Sequence, residues 1–236
     1  MRIIAFGPSE TYGYGLEDCV SDDDVILCGP LPSKFAYPTL TANKLKVECI
    51  NLAKPGSGSL QTLIDILNFK FQKNDIVIAQ WAKNSTVTLI NDNDTSTNIQ
   101  PWMALEASEV LSHKIGFSLL SLQAKLANIS KKKQLEIAHN FYKTHSDRHL
   151  YLIASIYMDL AALHLKDCGV NKFFIASDEW NPEQYPGRNH VDFFVKIFED
   201  YTDFAADGIH PGPKTHERVA NLIVDYINCN INSSCY

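Results

Sequence analysis

The sequence predicts an α/β fold in which helices cover both faces of a mostly parallel central sheet. Two observations support this prediction. Short apolar runs alternate with longer segments of helical periodicity, and this alternation is typical of parallel strands joined by right-handed helical crossovers. The 236 residues are also 45% apolar and 20% charged, which suits one sizeable hydrophobic core. We therefore expect a single domain over residues 1–236.

The first third of the chain contains three predicted strands. Residues 2–6 are mainly apolar and end at a Gly-Pro pair, as expected of a buried strand that leads into a turn. Residues 12–38 are rich in glycine, proline and aspartate, which predicts a long loop. Helical periodicity over residues 37–46 and a strand pattern over 47–52 follow. The third buried strand is predicted over residues 75–81.

A helix is predicted between the second and third strands, with Ser59 as its N-cap, because a serine hydroxyl accepts free amide hydrogens of a first helical turn. Apolar residues at spacings of three and four predict its buried face. That face consists of Leu60, Leu63, Ile64, Leu67 and Phe71. After the third strand, residues 91–95 lack the glycine and the later acidic ligand of a calcium loop, and they predict a solvated turn.

A long helical pattern covers residues 102–166. It is longer than one crossover helix requires, and we interpret residues 102–168 as a helical insertion that could form a cap or a dimer surface. One apolar stripe is clearest and is predicted to face the core. It consists of Leu150, Ile153, Ile156, Tyr157, Leu160 and Leu163.

The last part of the chain is predicted to contain a strand over residues 172–177 and a helix near residues 191–201. The final helix should begin near Pro213, since proline at the first helical position removes no intrahelical hydrogen bond. Its predicted inward side chains are Val219, Leu222, Ile223 and Tyr226.

Composition and charge disfavour several classes of function. The net charge of −6 argues against a nucleic-acid partner, because phosphate neutralisation needs clustered lysine and arginine. No apolar stretch approaches the roughly 20 residues of a membrane span, and residues 1–6 are too short for a signal peptide. We therefore expect a cytoplasmic protein without a membrane partner. The 6 cysteines lack zinc-ligand spacing, which predicts free thiols and no metal site.

The residues suited to catalysis follow the predicted strands. In parallel sheets ligands bind outside the carboxyl ends of the strands, and Ser9, Gly56 and Asn84 all follow such ends. A serine hydroxyl becomes a useful nucleophile when an imidazole takes its proton and a carboxylate orients the imidazole. Asp207 and His210, three positions apart in a loop with Gly and Pro, can supply both groups.

An oxyanion formed at a carbonyl carbon needs two or three hydrogen-bond donors. The predicted donors are the backbone N–H groups of Ser9 and Gly56 and the side-chain amide of Asn84. Two aromatic residues, Tyr12 and Trp81, are predicted to form walls that contact an acyl group or a sugar ring.

These segments resemble the motifs of the SGNH, or GDSL-type, superfamily of esterases and acylhydrolases. Residues 7–11, Gly-Pro-Ser-Glu-Thr, match that superfamily's Gly-Asp-Ser-x-Thr, and Gly56 matches its glycine after the second strand. Residues 207–210, Asp-Gly-Ile-His, match its Asp-x-x-His. Residues 5–16 are especially similar to members found in bacteriophage genomes, which implies the host cytoplasm or the virion as the location.

The resemblance implies a three-layer α/β/α sandwich of flavodoxin-like topology and a carboxylic ester hydrolase without metal or cofactor. Ser9 is then the nucleophile, His210 the base and Asp207 the orienting acid. The implied substrate is a small-molecule or glycan ester that loses a small acyl group such as acetyl. An acyltransferase would use the same residues and pass the acyl group to another acceptor. The oligomeric state is not predicted.

Two departures from the superfamily pattern leave a second function open. Pro8 replaces an aspartate that normally braces the nucleophile turn. Residues 80–85 lack the Gly-x-Asn-Asp motif, so Asn84 matches it only if the loop is shifted. Losing one oxyanion donor costs about a hundred- to a thousandfold in rate. The alternative is a catalytically weak or inactive binding or structural module, for example of a phage particle.

Overall fold

The structure is a computed structural model of the chain. It describes residues 1–19, 31–82, 86–90, 96–99, 130–176, 193–196 and 201–230. The strands in these ranges are β1 (Arg2–Phe6), β2 (Glu48–Asn51), β3 (Ile76–Trp81), β4 (Val87–Ile90), β5 (Ser96–Ile99), β6 (Asn171–Ala176) and β7 (Phe193–Lys196). The helices are α1 (Ser9–Tyr12), α2 (Tyr37–Leu45), α3 (Ser59–Asn68), α4 (Lys131–Thr144), α5 (Asp147–Asp167) and α6 (Pro213–Asn230).

Five parallel strands form the central sheet in the order β2-β1-β3-β6-β7. Ile3 of β1 pairs with Cys49 of β2 on one side and with Ile76 of β3 on the other. β2 therefore lies on one side of β1, and β3, β6 and β7 follow in order on the other side. In such sheets the crevice outside the carboxyl ends of the strands, where the order reverses, is the usual ligand site. The predicted α/β fold class is confirmed.

Two apolar layers cover the two faces of the sheet. Ile4 and Val77 pack with α3 and α5, whereas Ile3 and Ile76 pack with α2 and α6. Successive side chains of a strand point to opposite faces, so a strand covered on both sides is apolar at most positions. This is why β1 and β3, apart from Arg2 and Gln80, are recognisable in the sequence as apolar runs.

Helix α5 buries only part of the predicted stripe. Leu150 is buried as predicted, and Tyr157 packs against the core. Ile156, Leu160 and Leu163, predicted to be buried, are 55%, 47% and 47% exposed. The buried residues are Leu150, Ala154, Ser155, Met158, Ala161, Ala162 and Leu165. Because leucine is more hydrophobic than alanine, the sequence pattern favoured exposed leucines over the buried alanines of this helix.

One further prediction of secondary structure is wrong, and one pair of strands was missed. β7 forms a strand at Phe193–Lys196, within the segment 191–201 where a helix is predicted. It extends the sheet beside β6, and tertiary pairing has overridden the local pattern. The antiparallel pair β4 and β5 was not predicted. The predicted turn 91–95 joins these two strands and lies outside the described residues.

Helix α3 begins and ends earlier than predicted. Its N-cap is Gly58, not Ser59, and no side chain caps it. The helix ends at Asn68, so Phe71 packs against the core from the following loop. Leu67, predicted to be buried, is 47% exposed. The buried residues of α3 are Ser59, Gln61, Thr62, Leu63 and Ile66, so polar side chains occupy part of the face that the apolar pattern was expected to form.

Other predictions are only partly covered by the structure. Asn84 and residues 101–129 lie outside the described residues, and the second part of the predicted insertion contains α4 and α5. The final helix begins at Pro213 as predicted, and Val219, Ile223 and Tyr226 pack inward. Leu222, also predicted to point inward, is 42% exposed. Across the described ranges, no helix combines the length and the apolar character needed to cross a membrane.

Candidate active site

The turn between β1 and α1 holds Ser9 at the carboxyl edge of the sheet. Gly7 has φ +153°, and a Cβ there would lie 2.4 Å from Oγ1 of Thr11. Only glycine therefore fits this position. The Gly7 carbonyl accepts hydrogen bonds from the Lys54 N–H at 2.9 Å and from the Ser57 hydroxyl at 3.2 Å. These bonds hold the loop that contains Gly56 against the nucleophile turn.

Buried polar contacts brace α1. The Thr11 hydroxyl donates to Oε1 of Gln80 at 2.6 Å and lies 2.9 Å from the Tyr37 hydroxyl. The Asn51 side chain donates to the Thr11 carbonyl at 2.8 Å. Pro8 caps α1 without a side-chain hydrogen bond. The turn is thus held in place from Thr11, and it does not depend on a carboxylate at position 8.

Three side chains form a continuous hydrogen-bonded chain. Nε2 of His210 lies 2.9 Å from Oγ of Ser9, and Nδ1 of His210 lies 2.5 Å from Oδ2 of Asp207. The Asp207 side chain is fully buried, and the His210 side chain is 13% exposed. Oδ1 of Asp207 accepts the backbone N–H groups of Ile209 and His210, each at 3.0 Å. The structure therefore brings together the three residues predicted as nucleophile, base and orienting acid.

The environment of Asp207 determines which nitrogen of His210 carries a proton. Burial acts to raise the pKa of Asp207, but hydrogen bonds from His210 and Ile209 and the charge of His210 outweigh it and lower the pKa below 3.8. The ionised carboxylate can only accept hydrogen bonds, so Nδ1 of His210 must donate. Nε2 of the neutral ring is then free to accept the Ser9 proton.

A second group lies near the Ser9 hydroxyl. Oε2 of Glu10 is 3.3 Å from Oγ of Ser9, compared with 2.9 Å for Nε2 of His210. A hydroxyl has one proton to donate. The shorter contact favours the histidine as the acceptor, and Glu10 is an alternative partner when His210 is protonated.

The predicted loop after α1 contacts both His210 and Asp207, through two residues that the sequence did not single out. The Tyr14 ring lies 4.9 Å from the His210 ring, centroid to centroid. The Gly15 carbonyl accepts the Ala206 N–H at 3.0 Å. A Cβ on Gly15 would lie 3.1 Å from Cγ of Asp207, and Gly15 has φ +78°. The signal in the sequence was the Tyr-Gly-Tyr-Gly run at positions 12–15, directly after the nucleophile turn.

We expect Gly15→Ala to lower kcat/KM about ten- to a hundredfold, because a displacement of catalytic groups of about 1 Å can cost a hundredfold. The added methyl group would push on the carboxylate that orients His210. Gly169→Ala is the matched control, since Gly169 has φ +66° and nothing lies within 4 Å of its Cβ position. Both variants strain the backbone, so equal losses of kcat/KM in the two would contradict the role of Gly15.

The remaining predicted site residues lie in different surroundings. Gly56 is buried with φ +77°. Tyr12 is 6% exposed and packs with Cys19 and Ala53. Trp81 is fully buried, with its ring 5.2 Å from that of Phe174. The structure thus corrects the prediction for Trp81, which is a core residue and presents no wall to a ligand.

Asn84 lies outside the described residues, so its predicted role stays a prediction. The described part of the chain contains no group of three or more potential metal-ligating side chains.

His216 is buried at the start of α6 and has a structural role. Its Nδ1 accepts the Tyr37 N–H at 3.1 Å, and the two rings are stacked at 5.9 Å. Burial, the largest cause, lowers the pKa of His216 to about 4 from 6.5. The ring is therefore neutral at pH 7, with its proton on Nε2.

His216 predicts a loss of stability in mild acid. Its folded-state pKa lies below the unfolded value, so its contribution is complete above pH 6.5 and is lost as the pH falls towards about 4. A shift of this size corresponds to about 3 kcal/mol of unfolding free energy. Urea unfolding of His216→Gln should show a flatter pH dependence across that window. His149→Gln, which changes an exposed histidine of α5, should behave as wild type, and equal curves for all three proteins would contradict the prediction.

Three solved structures of esterases have an architecture similar to that of this chain. A carbohydrate esterase whose active site has divergent catalytic and non-catalytic binding functions matches with a TM-score of 0.56 and 15% identity. The acetyl xylan esterase Est2A from the rumen bacterium Butyrivibrio proteoclasticus matches with a TM-score of 0.54 and 12% identity. A carbohydrate esterase family 2 enzyme of Corynascus thermopiles, with a carbohydrate binding domain, matches at 0.51 and 14%. This chain has the fold of these esterases.

The matches cover nearly all of this chain but not all of the similar proteins. They include 97%, 98% and 98% of this chain. The chain spans 65%, 64% and 67% of the lengths of those three proteins. Neither a protein-family model nor a curated protein sequence matches the chain. At 12–15% identity, the comparisons show the fold of the chain and not its function.

Proposed function

We propose that this chain is a serine esterase of the SGNH type. The observation that carries the proposal is the hydrogen-bonded chain from Asp207 through His210 to Ser9, which joins residues 201 positions apart in sequence. Nucleophile, base and orienting acid are recognised by such geometry and not by sequence position. The order of the motifs and the esterase-like fold support the same assignment.

The proposed reaction proceeds through an acyl-enzyme. Oγ of Ser9 attacks the ester carbonyl carbon while its proton passes to Nε2 of His210. The imidazolium, stabilised by Asp207, then donates that proton to the leaving alkoxide, and the acyl group stays on Ser9. Water attacks the acyl-enzyme, again losing a proton to Nε2. The carboxylic acid leaves as Ser9 regains its proton.

Backbone donors are proposed to stabilise the oxyanion. Ser9 is the first residue of α1, and N–H groups of a first helical turn lack intrahelical acceptors. Gly56 lies in the loop that Lys54 and Ser57 attach to the Gly7 carbonyl. We include the Asn84 amide as the third donor.

The proposed substrate is a small-molecule or glycan ester with a small acyl group such as acetyl. Carbohydrate esterases and an acetyl xylan esterase are among the proteins of similar fold. We also propose that Tyr12 contacts the substrate. We further propose that the protein is related to phage-encoded members of the superfamily. Its location would then be the host cytoplasm or the virion.

One alternative has specific support. Pro8 and the altered segment 80–85 favour an inactive binding or structural module. Against it, Asn51 and Thr11 brace the nucleophile turn without an acid at position 8. A scaffold also has no physical need for an aligned hydroxyl, imidazole and carboxylate.

Labelling with a fluorophosphonate probe separates the two functions. An activated serine attacks the phosphorus atom and becomes covalently modified. We expect labelling of wild type and of Ser130→Ala, whose serine is the N-cap of α4, but not of Ser9→Ala. Absence of labelling in wild type would favour the inactive module. For a labelled protein, acyl transfer to an added alcohol in preference to water would identify a transferase.

A further inference from the structure

Helix α5 has two apolar faces, and only one of them contacts the core. The face towards the sheet contains alanines and Met158. The other carries four large aliphatic side chains that are each about half exposed. They are Leu152 at 51%, Ile156 at 55%, Leu160 at 47% and Leu163 at 47%. We call these four residues the α5 stripe.

Charged residues lie at both ends of the α5 stripe. Arg148 and Asp167 are exposed, and they occur one turn before Leu152 and one turn after Leu163. Residues three and four apart share one side of a helix. The row therefore runs from a positive charge in the first turn, over four aliphatic side chains, to a negative charge in the last turn.

This order of charges is complementary to itself when the helix is reversed. In an antiparallel pair of α5 helices related by a two-fold axis, Leu152 faces Leu163 of the partner subunit, and Ile156 faces Leu160 of the partner subunit. The same register places Arg148 beside Asp167 of the partner subunit, and the symmetry repeats this contact at the other end. Two-fold interfaces join identical surfaces in this manner.

Other charged residues lie in the same two turns. Asp147 precedes Arg148 in the first turn, and Lys166 precedes Asp167 in the last turn. Asp147 and Lys166 suit the dipole of their own helix, so the antiparallel arrangement rests on the facing pair of Arg148 and Asp167 alone.

We propose that two copies of this chain associate through antiparallel packing of their α5 stripes. Aliphatic side chains at helical spacing interdigitate when two helix axes lie about 8–10 Å apart. Burial of the half-exposed leucines and isoleucine would provide the free energy of association. The paired arginine and aspartate would define the antiparallel register. This proposal does not depend on the esterase function.

The first test measures association. Sedimentation of wild type at increasing protein concentration should show a reversible transition from one chain to two. Ile156→Glu places charges at the centre of the interface and should weaken dimerisation at least a hundredfold. Glutamate is a good helix former, so α5 itself should persist. Leu222→Glu is the matched control, because Leu222 is a 42% exposed leucine of α6, on the opposite side of the sheet.

The second test examines the register. Arg148→Glu and Asp167→Arg each create like charges at both ends of the pair, and each should weaken dimerisation about tenfold. The double variant restores opposite charges and should recover most of the wild-type affinity. Failure of the double variant to recover would overturn the antiparallel register.

Two other outcomes would overturn the proposal as a whole. The first is sedimentation of wild type as one chain at every concentration. The second is a lower melting temperature of Ile156→Glu in a protein that is always monomeric, which would indicate that another segment of the same chain covers the α5 stripe. Fluorophosphonate labelling reports on the esterase function independently of either result.

Discussion

Ser9→Ala is expected to lower kcat for a short-chain nitrophenyl ester by about ten thousand- to a millionfold. The variant lacks the oxygen that forms the acyl-enzyme, and the remaining groups can only stabilise attack by water. The hydroxyl lies 2.9 Å from His210, so its removal should leave the base and the orienting acid in place. Initial rates with purified protein, together with circular dichroism to check the fold, measure the effect.

The value of KM is informative in the same experiment. Loss of the nucleophile removes an interaction made in the transition state, so kcat should fall with little change in KM. Ser130→Ala should retain the wild-type rate, since Ser130 only caps α4. Retention of more than a tenth of the wild-type kcat by Ser9→Ala would exclude Ser9 as the nucleophile.

Asp207→Asn is expected to lower kcat about ten thousandfold, as for other hydrolases of this type. In the structure, Oδ1 of Asp207 accepts two backbone N–H groups and Oδ2 accepts Nδ1 of His210. An asparagine must keep its carbonyl oxygen towards the backbone donors, so its NH2 group faces His210. Nδ1 must then accept, and the proton moves to Nε2, where it blocks transfer from Ser9.

A second aspartate provides the control for Asp207→Asn. Asp203 accepts the backbone N–H groups of Lys214 and Thr215 at the start of α6, each at 2.9 Å. Asp203→Asn removes one carboxylate charge four residues before Asp207, and the bonds that it changes involve neither Ser9 nor His210. It should lower stability and keep most of the activity. If both variants lost activity equally, general loss of charge would explain the effect better than the tautomer of His210.

The elements that could be predicted from sequence are those with a local cause. β1 and β3 were recognisable because both faces of the sheet are covered, which makes most positions of each strand apolar. The start of α6 at Pro213 was recognisable because proline suits the first helical position. Elements that depend on distant partners were missed. β7 pairs with β6, and its own residues carried a misleading helical pattern.

In the candidate site, too, residues in local motifs could be predicted, whereas residues whose role depends on packing could not. The sequence singled out Ser9, Asp207 and His210 as candidates because each lies in a short motif with turn residues beside it, and the structure brings the three side chains within hydrogen-bond distance. It did not identify Gly15, whose absent side chain leaves room for Asp207 across 192 positions of sequence. Trp81 was predicted as a ligand contact and is a core residue. A motif records which chemical groups are present, whereas burial depends on what packs around them.

By itself, then, the sequence determined the α/β class, the strands of the sheet centre and the residue types available for acyl transfer. Periodicity and turn preferences are local, so they can be read without knowing the fold. Only the tertiary structure decided that the hydroxyl of Ser9 lies within hydrogen-bond distance of His210 and that α5 buries its alanines while it exposes Leu152, Leu160 and Leu163. These outcomes depend on the close packing of segments far apart in the chain, and no local pattern encodes that packing.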